Sequence, residues 1–374
     1  MTMSANKSEV GLQKNDINTP ALIVDISILE ENLNRMSSFF ADRDVNLRPH
    51  VKTYNATPVL AHMQLEAGAI GVTCAKLSEA EILASSGITD ILIANQIVGR
   101  RKIEQLANLT TISNIMVAVD NKDNVTALSE IANDKGVTIR VLVEVNIGHN
   151  RCGVGPYEPA LELSHAVIES PSLSYQGLMG YDGHCTLKVD ESEREALSRE
   201  ANALLANTRF FIEESGIEVP IVSASGTFTY KFASEIDGIT EIQAGTYLLM
   251  DTAFKEHGVR EFDCALSVLT TVISRSKYPG NIDLAVIDVG RKSISPILGM
   301  PEVKHPGGAN LFSLSQEHGR VSLEGNGARS KIGDKIELWV RDANGTISQF
   351  DRFYAVRNDI VEDIWLIPGC GDHT

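Results

Sequence analysis

The chain has few cysteines, no long apolar run and a shortage of positive charge. Its five cysteines, Cys74, Cys152, Cys185, Cys264 and Cys370, are scattered and form no CxxC pair. Neither a disulfide framework nor a zinc ribbon is therefore indicated, and free thiols are expected. No apolar stretch reaches the roughly 18 to 20 residues that cross a bilayer, and the polar start MTMSANKSEVGLQKND lacks the apolar centre of a secretory signal. No membrane partner and a cytoplasmic location are expected. Lys and Arg number 33 against 49 Asp and Glu, for a formal charge of −16 and a pI near 5.0. Affinity for nucleic acid or anionic lipid rests on clustered cations, so a nucleic-acid partner is not expected either. No segment is of low complexity or proline-rich, and charged residues at 22% with hydrophobic ones at 43% suit a folded chain.

What the 374 residues do contain is rhythm. From about residue 45, the strand-length runs VNLRPHV, AIGVTCA, ITDILIAN, SNIMVAVD, VTIRVLVEV, LSYQGLMGY, VPIVSAS and TEIQAG alternate with helical patterns such as TPVLAHMQLEAG and ESEREALSREANALLANTRFFIEESG. Eight such alternations predict an α/β fold, a (β/α)8 TIM barrel, with an open doubly wound sheet as the alternative. After about residue 255, CALSVLTTVISRS, NIDLAVIDVG, DKIELWV, TISQFDRFYAV and DIVEDIWLIP read as strands with turn signals such as YPGN between them. The expected organisation is a barrel over 28–255 and a C-terminal all-β domain over 256–374. The early run PALIVDI has no place in the count of eight, so a strand around 18–27 is assigned to the β domain.

The stretch RPHVKTYNATP places Arg48, His50 and Lys52 on alternate positions, which in a strand share one face. Barrel active sites form at the C-terminal ends of the strands, which is where Lys52 falls. A lysine among protein walls has its charged form disfavoured, which frees the amine to attack a carbonyl. A solvated salt bridge is the alternative for any single lysine. After the seventh and eighth strands, SASGTFTY offers Ser225, Gly226 and Thr227, and AGTY offers Gly245, Thr246 and Tyr247. Backbone amides and hydroxyls converging there suit a phosphate, although either loop alone reads equally as a plain turn.

With TPALIVDISILEENL, RPHVKT, NRCGVG, GLMGYDGH, SASGTFTY, EIQAGTYLLMD and EDIWLI in order, the chain resembles the alanine racemase-like, fold-type III pyridoxal phosphate enzymes. Within them it resembles the branch of D-threonine aldolase, D-serine dehydratase and 3-hydroxyaspartate aldolase. The resemblance runs from about residue 18 to 367. It implies a barrel of the alanine racemase type with a C-terminal β domain, and a homodimer. It implies that Lys52 carries pyridoxal 5'-phosphate through a Schiff base, that Arg151 faces the cofactor's phenolic oxygen, that Tyr181 packs near the ring and that Gln243 meets the pyridine nitrogen. His50 and His184 lie near strand ends and are the candidates for proton work, since histidine titrates near neutrality. His184 is preferred, and His50 reads equally as a hydrogen-bonded support of the first strand.

One motif departs from the pattern. The branch carries a divalent-metal site made of a histidine and, two residues later, an aspartate or cysteine. Aligned backward without gaps from Asp351, Arg352, Phe353 and Tyr354, this chain has Asp342 and Asn344 there. Two oxygen ligands suit Mg²⁺ or Ca²⁺ at best, and DANGT is read instead as a hairpin with an Asn-Gly turn. The tail GCGDHT, with Cys370, Asp372 and His373, is read as a frayed end. The activity expected is retro-aldol cleavage of a small D-β-hydroxy amino acid, with an amino acid racemase or a D-serine dehydratase-like ammonia-lyase as alternatives. A cofactor carrier without catalysis and a cofactor-free barrel are the non-enzymatic ones.

Overall fold

The computed structural model describes residues 7–278 and 282–371. The YPGN turn and the Asp372 and His373 positions lie wholly or partly outside the described residues. Strand β1 (Ala21–Asp25) precedes a barrel made of β2 (Asn46–Leu47), β3 (Val72–Cys74), β4 (Asp90–Gln96), β5 (Asn114–Val119), β6 (Ile139–Glu144), β7 (Leu173–Gly180), β8 (Ile221–Ala224) and β9 (Glu241–Ile242). These eight are parallel and ordered β2-β9-β8-β7-β6-β5-β4-β3. The ring closes through a parallel bridge between His50 and Thr73, with Thr73 N donating to Pro49 O at 2.8 Å and Ile70 N to Leu47 O at 3.0 Å.

Alternation along the strands explains why they read as unbroken apolar runs. Leu92, Met116, Ala118, Leu142 and Met179 form one cluster inside the barrel, with Ala94 and Ile221 packed on it. Their neighbours Ile91, Ile93, Ile115, Val117, Val141, Val143, Leu178 and Val222 belong to the larger core shared with the helices. Both faces are buried, as in parallel sheets generally. Arg48, the residue just past the first strand, sits inside the barrel with Nε 2.9 Å from Glu241 Oε1 and a second bond to Asp90.

The second sheet holds β10 (Leu266–Tyr278), β11 (Ile282–Ile287), β12 (Val303–His305), β13 (Ala309–Leu314), β14 (Gly319–Leu323), β15 (Lys335–Trp339), β16 (Arg352–Arg357) and β17 (Ile360–Leu366). β1 lies between β10, antiparallel, and β16, parallel. Its last residue, Asp25, accepts from Ile28 N at 3.2 Å and so caps the helix Ile26–Ala41 that leads to the barrel. Among the described residues no helix is long and apolar enough to cross a membrane.

Three local expectations are corrected. The first barrel strand stops at Leu47, and Lys52 stands in a 3-10 turn, Val51–Tyr54, rather than in a strand. Pro49 has no N–H with which to continue the ladder. DANGT is not a hairpin: Ala343–Ile347 is a short helix with Asp342 at its N-cap. The run TISQFDRFYAV is accordingly a helix end followed by β16, and the hairpin β13–β14 falls where no strand was expected.

Candidate active site

At the C-terminal end of the barrel lies a cavity of about 270 Å³. His50, Lys52, Arg151, Tyr181, Ser225, Gly226, Thr227, Gln243, Gly245 and Thr246 all line it. The 3-10 turn after the first strand turns Lys52 toward this space, and Asn55 and Ala56 follow with φ of 47° and 52°. The Lys52 side chain is accessible from the cavity. Among the described residues its Nζ has neither a hydrogen bond nor an ion pair. Burial holds the amine below the ordinary lysine range, and the nearby Arg151 charge adds to this while Glu79 opposes it.

Tyr181, which follows β7, is the floor between the cations. Lys52 Nζ lies 5.8 Å and Arg151 Cζ 5.4 Å from its ring centroid, distances at which a cation is attracted to the π face. Arg151 has no carboxylate within ion-pair distance among the described residues. Its turn is held from behind: Gly153 N donates to Asp120 Oδ2 at 3.0 Å, and Gly153 at φ +100° could not take a side chain without meeting Val145 and Asn146 backbone. Asp120, Glu144 and Cys152 bring ligand atoms within 4.8 Å of one another there; Glu144 also accepts from Gln96 Nε2 at 2.5 Å.

His50 Nδ1 accepts from Lys52 N at 3.4 Å. Burial, with the charges of Lys52 and Arg151, pushes the imidazole well below its usual range, so it is neutral near pH 7.

The two loops after β8 and β9 meet across the cavity. Ser225 adopts φ 65°, and its hydroxyl lies 2.8 Å from Thr229 Oγ1, which donates to the buried Asp182 at 3.1 Å. Ser198 and Asn202 also donate to that carboxylate, at 2.8 and 3.0 Å. Thr53 and Thr246 hydroxyls are 3.2 Å apart. A Cβ on Gly245 would collide with the His50 carbonyl oxygen, so this loop can sit against the Lys52 turn only as glycine.

Three predicted residues are not on the cavity wall. Tyr247 is fully buried, its hydroxyl accepting from Gln64 Nε2 at 2.8 Å, and only its backbone N–H reaches the loop, at Thr227 Oγ1. His184 lies behind the wall in the 3-10 turn Gly183–Leu187, against Gly148, with Nε2 3.7 Å from Cys185 Sγ. The imidazole touching Tyr181 is instead that of His149, edge-on at 5.4 Å. Asp342 is a buried helix cap, whereas Asn344 lines the cavity. Sequence reasoning missed Thr53, Thr186, Thr229 and Phe254 on the wall, and Asp182 beneath it. Thr53, Thr229, Asp182 and His149 carried a signal, as polar residues within RPHVKT, SASGTFTY and GLMGYDGH and beside NRCGVG; Thr186 and Phe254 carried none.

Residues 24–253 match the family model described as "Alanine racemase, N-terminal domain". The chain belongs to that family. Residues 265–356 match a second model, "Putative serine dehydratase domain". A D-threonine aldolase of Arthrobacter sp is 33% identical over 358 residues, 95% of this chain and 93% of that protein. The crystal structure of D-threonine aldolase from Filomicrobium marinum superposes with a TM-score of 0.92 at 36% identity, covering 98% of this chain and 99% of the other. A D-threo-3-hydroxyaspartate dehydratase, solved as a cysteine-to-alanine mutant in the metal-free form, superposes at 0.85 with 26% identity over 95% and 98% of the two chains.

Proposed function

We propose that this member of the family is a pyridoxal 5'-phosphate enzyme that cleaves the Cα–Cβ bond of a small D-β-hydroxy amino acid, releasing an aldehyde. The carrying observation is the Lys52 amine, without a hydrogen bond or ion pair among the described residues and held below the ordinary lysine range, opening on the same cavity as the hydroxyl and glycine loops at 225–227 and 245–246. End-to-end similarity to D-threonine aldolases supports the choice of reaction.

The donors suit this cofactor. Ser225, Gly226, Thr227, Gly245 and Thr246 would hold its phosphate, Arg151 its phenolic oxygen and Tyr181 its ring. Gln243 would meet the pyridine nitrogen as a neutral amide; its Nε2 donates to Ser223 Oγ at 2.8 Å. When bound, the cofactor supplies an aldehyde for amine capture and a ring that accepts electrons from the substrate's Cα. Lys52, whose charged form is disfavoured by burial, is the residue that would hold the aldehyde through its amine and release it to the substrate amine. His50 is the imidazole on the wall, and the hydroxyl proton is assigned to it rather than to His184, which the cavity does not reach. We further take 28–255 as the cofactor-binding barrel and 256–374, with the strand around 18–27, as the β domain. A cytoplasmic homodimer is the assembly that the family resemblance supports.

Borohydride reduction of the yellow holoprotein should place a stable label on Lys52, and D-threonine or a related hydroxy amino acid should then yield an aldehyde. A keto acid with ammonia would instead select dehydration. A colourless protein, unlabelled after added pyridoxal phosphate, would remove the reading altogether.

A further inference from the structure

One part of the cavity wall is built by elements outside the barrel strands. Phe254 stands in the helix Thr252–Glu256, and Asn344 in the helix Ala343–Ile347. Buried Asp251 ties the two together: Oδ1 accepts from Phe254 N at 2.9 Å and Oδ2 from Ala343 N at 3.0 Å. Asp342, also buried, has both oxygens engaged, Oδ1 accepting from Gly345 N at 3.1 Å and Oδ2 from Ser295 Oγ at 2.6 Å. A Cβ on Gly345 would run into that Oδ2 and the Ser295 hydroxyl, so the cap has no slack. Asn344 differs from both. Its side chain is exposed, and its amide makes no hydrogen bond among the described residues.

Asp342 and Asn344 occupy the positions where the resemblance implies a divalent-metal pair, and one dehydratase relative is described in a metal-free form as a cysteine mutant. The donor set here does not fit an ion. Asp342 is buried and does not line the cavity, and its two oxygens already accept from Gly345 N and Ser295 Oγ; Asn344 offers one neutral oxygen, whereas hard cations take six or more oxygens with carboxylates among them. A carboxamide is better suited to a hydroxyl, to which it can donate and from which it can accept at once.

We propose that this chain recognises the β-hydroxyl of its substrate directly through the Asn344 amide, without a divalent ion, with Asp251 and Asp342 as positioning residues that hold that wall. The proposal rests on reading the cavity as a site for β-hydroxy amino acids.

The test uses the full-length holoprotein. Elemental analysis after EDTA dialysis should find far less than one Mn, Zn, Mg or Ca per chain, calorimetric titration with Mn²⁺ should show no site, and aldehyde release should be unchanged by chelation. Binding of D-serine and of D-alanine, which lacks the hydroxyl, is then followed through the absorbance of the bound cofactor. Asn344→Ala should weaken D-serine by about tenfold, the effect of losing one hydrogen bond, and leave D-alanine unchanged; Asn344→Ser should recover part of the loss. A stoichiometric ion, activity lost to EDTA and restored by Mn²⁺, or equal effects of Asn344→Ala on the two ligands would each overturn the proposal. Failure of the underlying function shows separately, as absent cofactor absorbance and no label on Lys52.

Discussion

Lys52 and Arg151 face one aromatic ring, their charged ends 5.8 and 5.4 Å from the Tyr181 centroid. Two cations brought to one face of a cavity each make the other costlier to charge, and the lysine is the one able to give up its proton.

Replacing Arg151 with Met should therefore raise the Lys52 pKa, because a positive neighbour that disfavours the ammonium is gone while burial remains. The rate at which apoprotein takes up pyridoxal phosphate, measured against pH, should shift its rise toward alkaline values. An unchanged or acid-shifted profile would show that the two charges do not communicate.

His50 makes the second prediction, on acid stability. Its folded pKa is depressed by burial and by Lys52 and Arg151, so above about 6.5, the ordinary histidine value, it is neutral folded or unfolded and contributes no pH dependence. As pH falls below that, the unfolded chain binds the proton first, and stability is lost down to the folded pKa. Thermal midpoints of the wild type and His50→Gln between pH 7.5 and 5 should diverge, the variant falling less. Parallel curves would assign the acid sensitivity elsewhere.

The Arg48–Glu241 pair supplies the third. Both side chains are only 3% exposed, and Arg140 approaches the shared Asp90 at 3.5 Å. Arg48→Met strands a buried carboxylate and should cost about 3–5 kcal/mol in urea unfolding. The double change with Glu241→Gln should recover much of that loss; a single-variant cost near zero would mean that water reaches the pair.

Much of this molecule is legible in its residues alone. Seven of the eight barrel strands fall within their apolar runs and β4 overruns its own by Gln96 alone, because a parallel strand buried on both faces leaves a short continuous apolar run whose length and flanking turn residues set it apart from a helix. The Lys52 block and the two loops at 225–227 and 245–246 are legible for a related reason: residue types with a narrow range of uses stand at strand ends, where barrels place their chemistry. The turn that aims Lys52 is not, since one proline ending a two-residue strand is a weak local signal against a clear alternation.

What tertiary structure alone decided is which polar groups share a space. Periodicity could not say that His184 packs behind the wall while His50 faces the cavity, that Tyr247 turns into the core, or that the helices carrying Phe254 and Asn344, 90 positions apart, are tied by one carboxylate that accepts from Phe254 N and Ala343 N. DANGT could close a hairpin or start a helix, and the contacts settled it: Asp251 and Ser295, remote in the chain, take up the hydrogen bonds that make it a helix. Local sequence sets what a segment is able to form, whereas buried partners brought from a distance set which of those forms leaves no polar group unsatisfied.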